Sequence, residues 1–248
     1  MKLRTPLLGA ALLAASCFSY AAGQTHWDYE GHGGADHWGE LDPAFKACKA
    51  GKEQSPINIT AAPKSAALKP IAFAYTAGPA EIVNNGHTIQ VNLSNGGSIK
   101  LGQDEFKLLQ FHFHTPSEEQ INGKSFPLVA HLVHQSADGK LAVVAVLFTL
   151  GKENTALKNV FDNMPAQGGA RQPLAGNFNA ADLLPQNRAY YAFKGSLTTP
   201  PCSEGVRWQV LQQTQEISVG QFAAFKALYP LNARPIQPLH GRKVQSSS

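Results

Sequence analysis

The stretch "LLQFHFHTPSEE", residues 108–119, sets His112 and His114 one residue apart in an aromatic run. Histidine is a poor core filler, and a buried imidazole without partners is costly. Side chains of a strand alternate between its two faces. A strand over residues 110–114 therefore turns Gln110, His112 and His114 to one side. Phe111 and Phe113 turn to the other, where they can be core. Seventeen residues after His114 comes His131, inside "LVAHLVH". A neighbouring antiparallel strand can bring it opposite the first two. His134 has the opposite parity, so a regular strand cannot aim both at one site.

Three imidazoles converging from two strands match a catalytic zinc centre, with three protein ligands and an open fourth position. Three satisfied core histidines are the alternative, and spacing alone does not separate the two. A purely structural zinc site needs a fourth protein ligand, and the nearest candidate, His134, faces the wrong way.

The flanking sequence is β-rich. "IAFAYTA", "AEIVNNGHTIQVNL" and "SIKLGQDEFKLLQFHFH" are strand-like pieces separated by turn residues, "NNG" most plainly. "FPLVAHLVHQSADGKLAVVAVLFTLG" predicts two strands joined by an "ADGK" hairpin. Helical signals are few: "NTALKNVFDNM", and "SVGQFAAFKALYP", where Ser218 and Gln221 have capping-box spacing. The expected class is mainly β: a single domain, mostly antiparallel, with a few short peripheral helices. No repeat or linker divides it. The last six residues, "KVQSSS", are expected to be a loose tail.

Bulk properties agree. The chain of 248 residues is 43% hydrophobic and 15% charged, which suits one compact domain. A net charge of +4 without basic runs gives no nucleic-acid footprint.

The first residues form an address. Lys2 and Arg4 precede an apolar stretch and then small residues in "SYAAG", the pattern of a cleaved secretory signal over residues 1–22. The stretch is too short to span a bilayer, so a periplasmic or secreted protein is expected. "LAASC" faintly resembles a lipoprotein processing site, but Ala14 fits poorly, and lipid anchoring at Cys17 is not expected. Removing the signal leaves Cys48 and Cys202. An even pair in an exported chain suggests a disulfide; two unrelated buried thiols are the alternative.

"FKGSLTTPPCSEGVRW", residues 193–208, sets paired threonines before paired prolines, a rigid turn carrying two hydroxyls. With it the chain becomes recognisable. "QSPINI", "NNGH", "QFHFH", "PSE", "AHLVH", "GSLTTPP" and "RPIQPL" occur in the order of the alpha-class carbonic anhydrases, which the chain resembles from Trp27 to Leu239. The resemblance implies a domain over residues 23–242 built on a large twisted central sheet, and the linkage of Cys48 to Cys202. It implies reversible hydration of carbon dioxide to bicarbonate by zinc-bound hydroxide, with one Zn2+ on His112, His114 and His131. Thr198 would orient the hydroxide through Glu118, and Thr199 would contact bicarbonate. Val133, Val143, Leu197 and Trp208 would form the apolar substrate pocket. His87 would be the proton shuttle, with Tyr29, Asn84, Asn85 and Gln90 ordering water along its path. Gln110 would support His112, and the backbone carbonyl of Asn232 would support His114. Bacterial relatives often pair, so a homodimer is allowed. A catalytically weak or inactive binding module on the same fold is the alternative function.

Two positions depart from the family pattern. Two residues before the third histidine the family usually carries Glu, and this chain has Val129. After the acid of "PSE" it often carries His, and this chain has Glu119. Glu119 either supplies the carboxylate that Val129 cannot, reaching His131, or points to solvent.

Overall fold

The computed structural model describes residues 25–248, so the signal segment and Cys17 lie outside the described residues. An irregular arm opens the fold. It carries two helical turns, α1 (Trp38–Leu41) and α2 (Ala47–Ala50). Trp38 is fully buried and pins the arm by donating from its indole to the carbonyls of Asp28 and Gly33.

Fourteen strands follow among the described residues. The first nine are β1 (Asn58–Ile59), β2 (Ala72–Tyr75), β3 (Gly78–Asn84), β4 (Ile89–Leu93), β5 (Gly97–Leu101), β6 (Asp104–His114), β7 (Gln120–Ile121), β8 (Leu128–Gln135) and β9 (Leu141–Leu150). Helix α3 (Thr155–Asp162) separates them from β10 (Arg171–Phe178), β11 (Tyr190–Ser196), β12 (Glu204–Leu211) and β13 (Gln215–Ile217). Helix α4 (Val219–Leu228) and β14 (Gln245–Ser246) complete the chain. Twelve strands form one sheet, whose main path runs β10-β3-β4-β6-β8-β9-β12-β11-β14. Most pairings are antiparallel, as expected, but β12 and β13 run parallel to β9.

Alternation divides the core in two. Phe111, Phe113, Ala130, Leu132, Val144 and Val146 point to the face covered by α3 and α4, whose Phe161 and Phe225 pack beneath Phe113. Val129, Val143, Ala145, Trp208 and Val210 point to the other face. α4 begins with the expected capping box of Ser218 and Gln221. The disulfide Cys48–Cys202 is formed across 154 residues of sequence.

The expectation of a loose tail needs correcting. Residues 245–246 pair antiparallel with Tyr191 and Ala192 of β11, Val244 is buried, and Ser246 exchanges backbone hydrogen bonds with the loop at 63–65. Backbone pairing, to which a polar "QSSS" is no obstacle, holds the end of the chain against the sheet.

Candidate metal centre

β6 and β8 build the centre. Their antiparallel register sets His112 directly opposite His131, and His114 opposite Val129. The expected alternation holds: one nitrogen from each of the three imidazoles lies within 4.8 Å of the others. His134 points away, its Nε2 2.8 Å from the Tyr75 hydroxyl and its Nδ1 3.3 Å from the Ala142 carbonyl.

Each ligand ring is held through its second nitrogen. Gln110 Oε1 accepts from His112 Nδ1 at 2.9 Å, and the Asn232 carbonyl accepts from His114 Nδ1 at 2.7 Å. Glu119 Oε2 accepts from His131 Nε2 at 3.1 Å. Such contacts fix tautomer and ring orientation. They leave His112 Nε2, His114 Nε2 and His131 Nδ1 for a metal. Val129 shares the face of His131 but offers only methyl groups, and Glu119 approaches from the loop after β6 instead. Its own backbone is fixed by Ser117, whose hydroxyl donates to the Glu119 carbonyl at 2.8 Å.

The electrostatics suit a divalent cation. Glu118 and Glu119 are 2% and 0% exposed. Glu118 Oε2 lies 3.5 Å from His114 Nε2 and 3.7 Å from His131 Nδ1. Burial foremost, with the charge of Glu119 adding, pushes Glu118 up to about 7. A bound cation would return it to the ionised form. Burial lowers His112 to about 3 and also lowers His114. For His131 burial again opposes charge, but Glu119 and Glu118 outweigh it and raise its pKa. His114 Nε2 is buried with no hydrogen-bond partner in the protein. An orphaned nitrogen, two neutral imidazoles and paired buried carboxylates are a set that Zn2+ satisfies.

The histidines open into a cavity of about 260 Å³. Val133 and Val143, opposed across β8 and β9, line it together with Leu197 and Trp208. The Trp208 ring sits edge-on to His131 at 4.9 Å, and its indole donates to the Ser196 carbonyl. Thr198 and Thr199 enter from the β11–β12 turn. The Thr198 hydroxyl favours the ionised form of Glu118, although the geometry stops short of a hydrogen bond to its Oε2. Arg234 donates its backbone N–H to Glu118 Oε1 at 2.9 Å.

At the mouth stand Tyr29, Asn85, His87 and Gln90. Asn85 Nδ2 approaches Gln90 Oε1 at 3.4 Å, and Asn85 Oδ1 accepts from the backbone of His87 and Thr88. Asn84 is a correction. It does not reach the cavity: it is buried, donates to the Pro165 carbonyl, and accepts from Gly86 N–H and the Tyr229 hydroxyl. It braces the turn that carries His87. Two cavity residues escaped the sequence, Thr88 and Trp27. Trp27 stacks on His87 with centroids 3.7 Å apart. The density of aromatics in the Gly-rich arm was the only available sign. His26, His32, His37 and His240 are exposed and lie outside the cavity.

Comparison with known proteins agrees with this geometry. The family model for eukaryotic-type carbonic anhydrase matches residues 33–248. A carbonic anhydrase of Pectobacterium carotovorum is 46% identical, covering 96% of this chain and 98% of its own length. One of Neisseria gonorrhoeae is 44% identical over 96% of this chain and 95% of its own. The solved alpha-carbonic anhydrase of Thermovibrio ammonificans, in complex with the inhibitor sulfanilamide, superposes with a TM-score of 0.88 at 45% identity, covering 90% of this chain and all of that one. With its three-histidine centre on adjacent strands, the chain belongs to the eukaryotic-type, or alpha, carbonic anhydrase family.

Proposed function

We propose that His112, His114 and His131 hold the zinc with which this carbonic anhydrase interconverts carbon dioxide and bicarbonate. The observation that carries this assignment is the trio of unengaged ring nitrogens at the base of a half-apolar cavity. When bound there, zinc lowers the pKa of water to about 7 and supplies a nucleophile at neutral pH. The protein's part is placement. Val133, Val143, Leu197 and Trp208 offer carbon dioxide, which has little polar handle, an apolar wall beside that nucleophile. The Thr198 hydroxyl, beside ionised Glu118, would accept a hydrogen bond from the nucleophile and so turn its lone pair towards the substrate carbon. Thr199 contacts the bicarbonate formed.

His87 takes the proton released in each turnover and passes it to solvent. Tyr29, Asn85 and Gln90 supply polar edges along the way. Burial raises the Tyr29 pKa well above its ordinary value, with Glu118 and Asp28 adding, so it acts as a neutral donor throughout. Glu119 orients His131 in place of the family's usual carboxylate.

The disulfide suits an exported protein, and no helix among the described residues is long and apolar enough to cross a membrane. Together with the opening segment this supports signal-directed export of the domain that starts near residue 23. Stopped-flow hydration of carbon dioxide by the mature chain, before and after chelation, tests the assignment. Activity should vanish with the metal and return on adding zinc; full activity without metal would end it.

A further inference from the structure

A second, larger cavity of about 660 Å³ lies on the far side of β11 and β12 from the metal centre. Trp208 turns its ring to His131, so its strand neighbours Arg207 and Gln209 point the opposite way. Register pairs Lys194 with Arg207 and Ala192 with Gln209, which puts these four on one wall. Leu68, Leu101 and Tyr190 add apolar surface.

Two features point to a ligand. The first is charge: Lys69, Lys194, Arg207, Arg242 and Lys243 line the cavity against a single carboxylate, Glu53. Arg207 is paired with Asp104 at 2.7 Å, and Arg242 is spent on the carbonyls of Gln54, Lys194 and Leu239. Lys69, Lys194 and Lys243 enter no ion pair among the described residues. The second is Gln209. It is one of the lining residues, it is only 4% exposed, and its Oε1 is buried without a hydrogen-bond partner. An unpartnered buried amide is costly unless something completes it. Its amide can present either a donor or an acceptor.

We propose that this cavity binds a small organic anion with a flat apolar body, of which an aryl carboxylate is the simplest form. The ring lies on Leu68, Leu101 and Tyr190. The carboxylate meets Lys194 and Lys243, which both line the cavity. The Gln209 amide completes the polar contacts. The volume lies in the range of small-molecule sites, which are mostly apolar with a few placed polar groups.

Titration calorimetry of the zinc-loaded enzyme with 2-naphthoate, and with 2-naphthylmethylammonium as a cation of similar shape, tests this. The anion should bind and the cation should not. The double variant Lys194→Glu/Lys243→Glu should weaken the anion by about tenfold or more, and Gln209→Leu should weaken it too. Carbon dioxide hydration should be unchanged in both. A direct contact with zinc is the competing location: unaltered affinity in both variants, with naphthoate inhibiting hydration, would overturn the proposal. No binding at millimolar anion would also overturn it. So would a dimer in sedimentation that Lys194→Glu dissociates, because a second copy would then cover the face.

Discussion

The hold on the third imidazole is tested at Glu119 and Val129. Glu119 already occupies His131 Nε2, so Glu119→Gln should weaken zinc retention by about 10–100-fold in competition with a chelator. Val129→Glu alone should bring no gain, because it adds a third acid to a buried pair. In the Glu119→Gln background it should recover much of the loss. Clearly tighter zinc binding by Val129→Glu alone would show that Glu119 does not do this work. At the cavity mouth, burial lowers the His87 pKa from its ordinary value, against the pull of Asp28. The shuttle's proton-accepting limb should therefore extend below about pH 6.5. Trp27→Ala, which removes the stacked indole, should move the His87 titration upward in an NMR series. His87→Ala should lower kcat by about tenfold or more in weak buffer and recover with added imidazole, because the lost step is proton transfer.

At the scale of elements, β6 and β8 could be anticipated because both signals were local: strict alternation in residues 110–114, and a third histidine within reach of one strand return. The parallel pairing of β9 with β12 could not, because its partners lie far apart in sequence and nothing local marks which strand lies beside which. Asn84 and Asn85 are chemically alike, and only the turn's hydrogen bonds reveal which one faces the cavity. The Glu119 contact was one of two options until the loop after β6 was seen to fold back on β8. On the opposite face, His134 is fully buried, and burial lowers its pKa to about 4. The unfolded chain takes up this proton near the ordinary value of about 6.5. Stability should therefore be complete above that pH and fall progressively down to about pH 4, by on the order of 3 kcal/mol. Urea denaturation of His134→Leu should show a flatter dependence across that window. Tyr75→Phe strands the imidazole Nε2 and should cost about 1–3 kcal/mol at neutral pH.

For the whole molecule, Cys48–Cys202 ties the N-terminal arm to the turn that presents Thr198. The Cys202 N–H donates to the Thr199 carbonyl, and Arg234 joins the Cys48 carbonyl to Gln54, Ser55 and, through its backbone, Glu118. Cys48→Ser/Cys202→Ser should lower stability by about 2–4 kcal/mol in denaturant melts. It should also reduce kcat while leaving zinc content intact, because the turn loosens and the β6–β8 ligands do not.

That separation reaches into assembly. All three imidazoles come from one antiparallel strand pair joined by 13 residues, from Thr115 to Pro127, whereas Thr198 arrives from the other end of the chain. Contacts close in sequence form early and distant ones late. A half-folded molecule with β6 and β8 already paired could capture the ion before any reaction chamber exists around it, so metal content alone would overcount working enzyme.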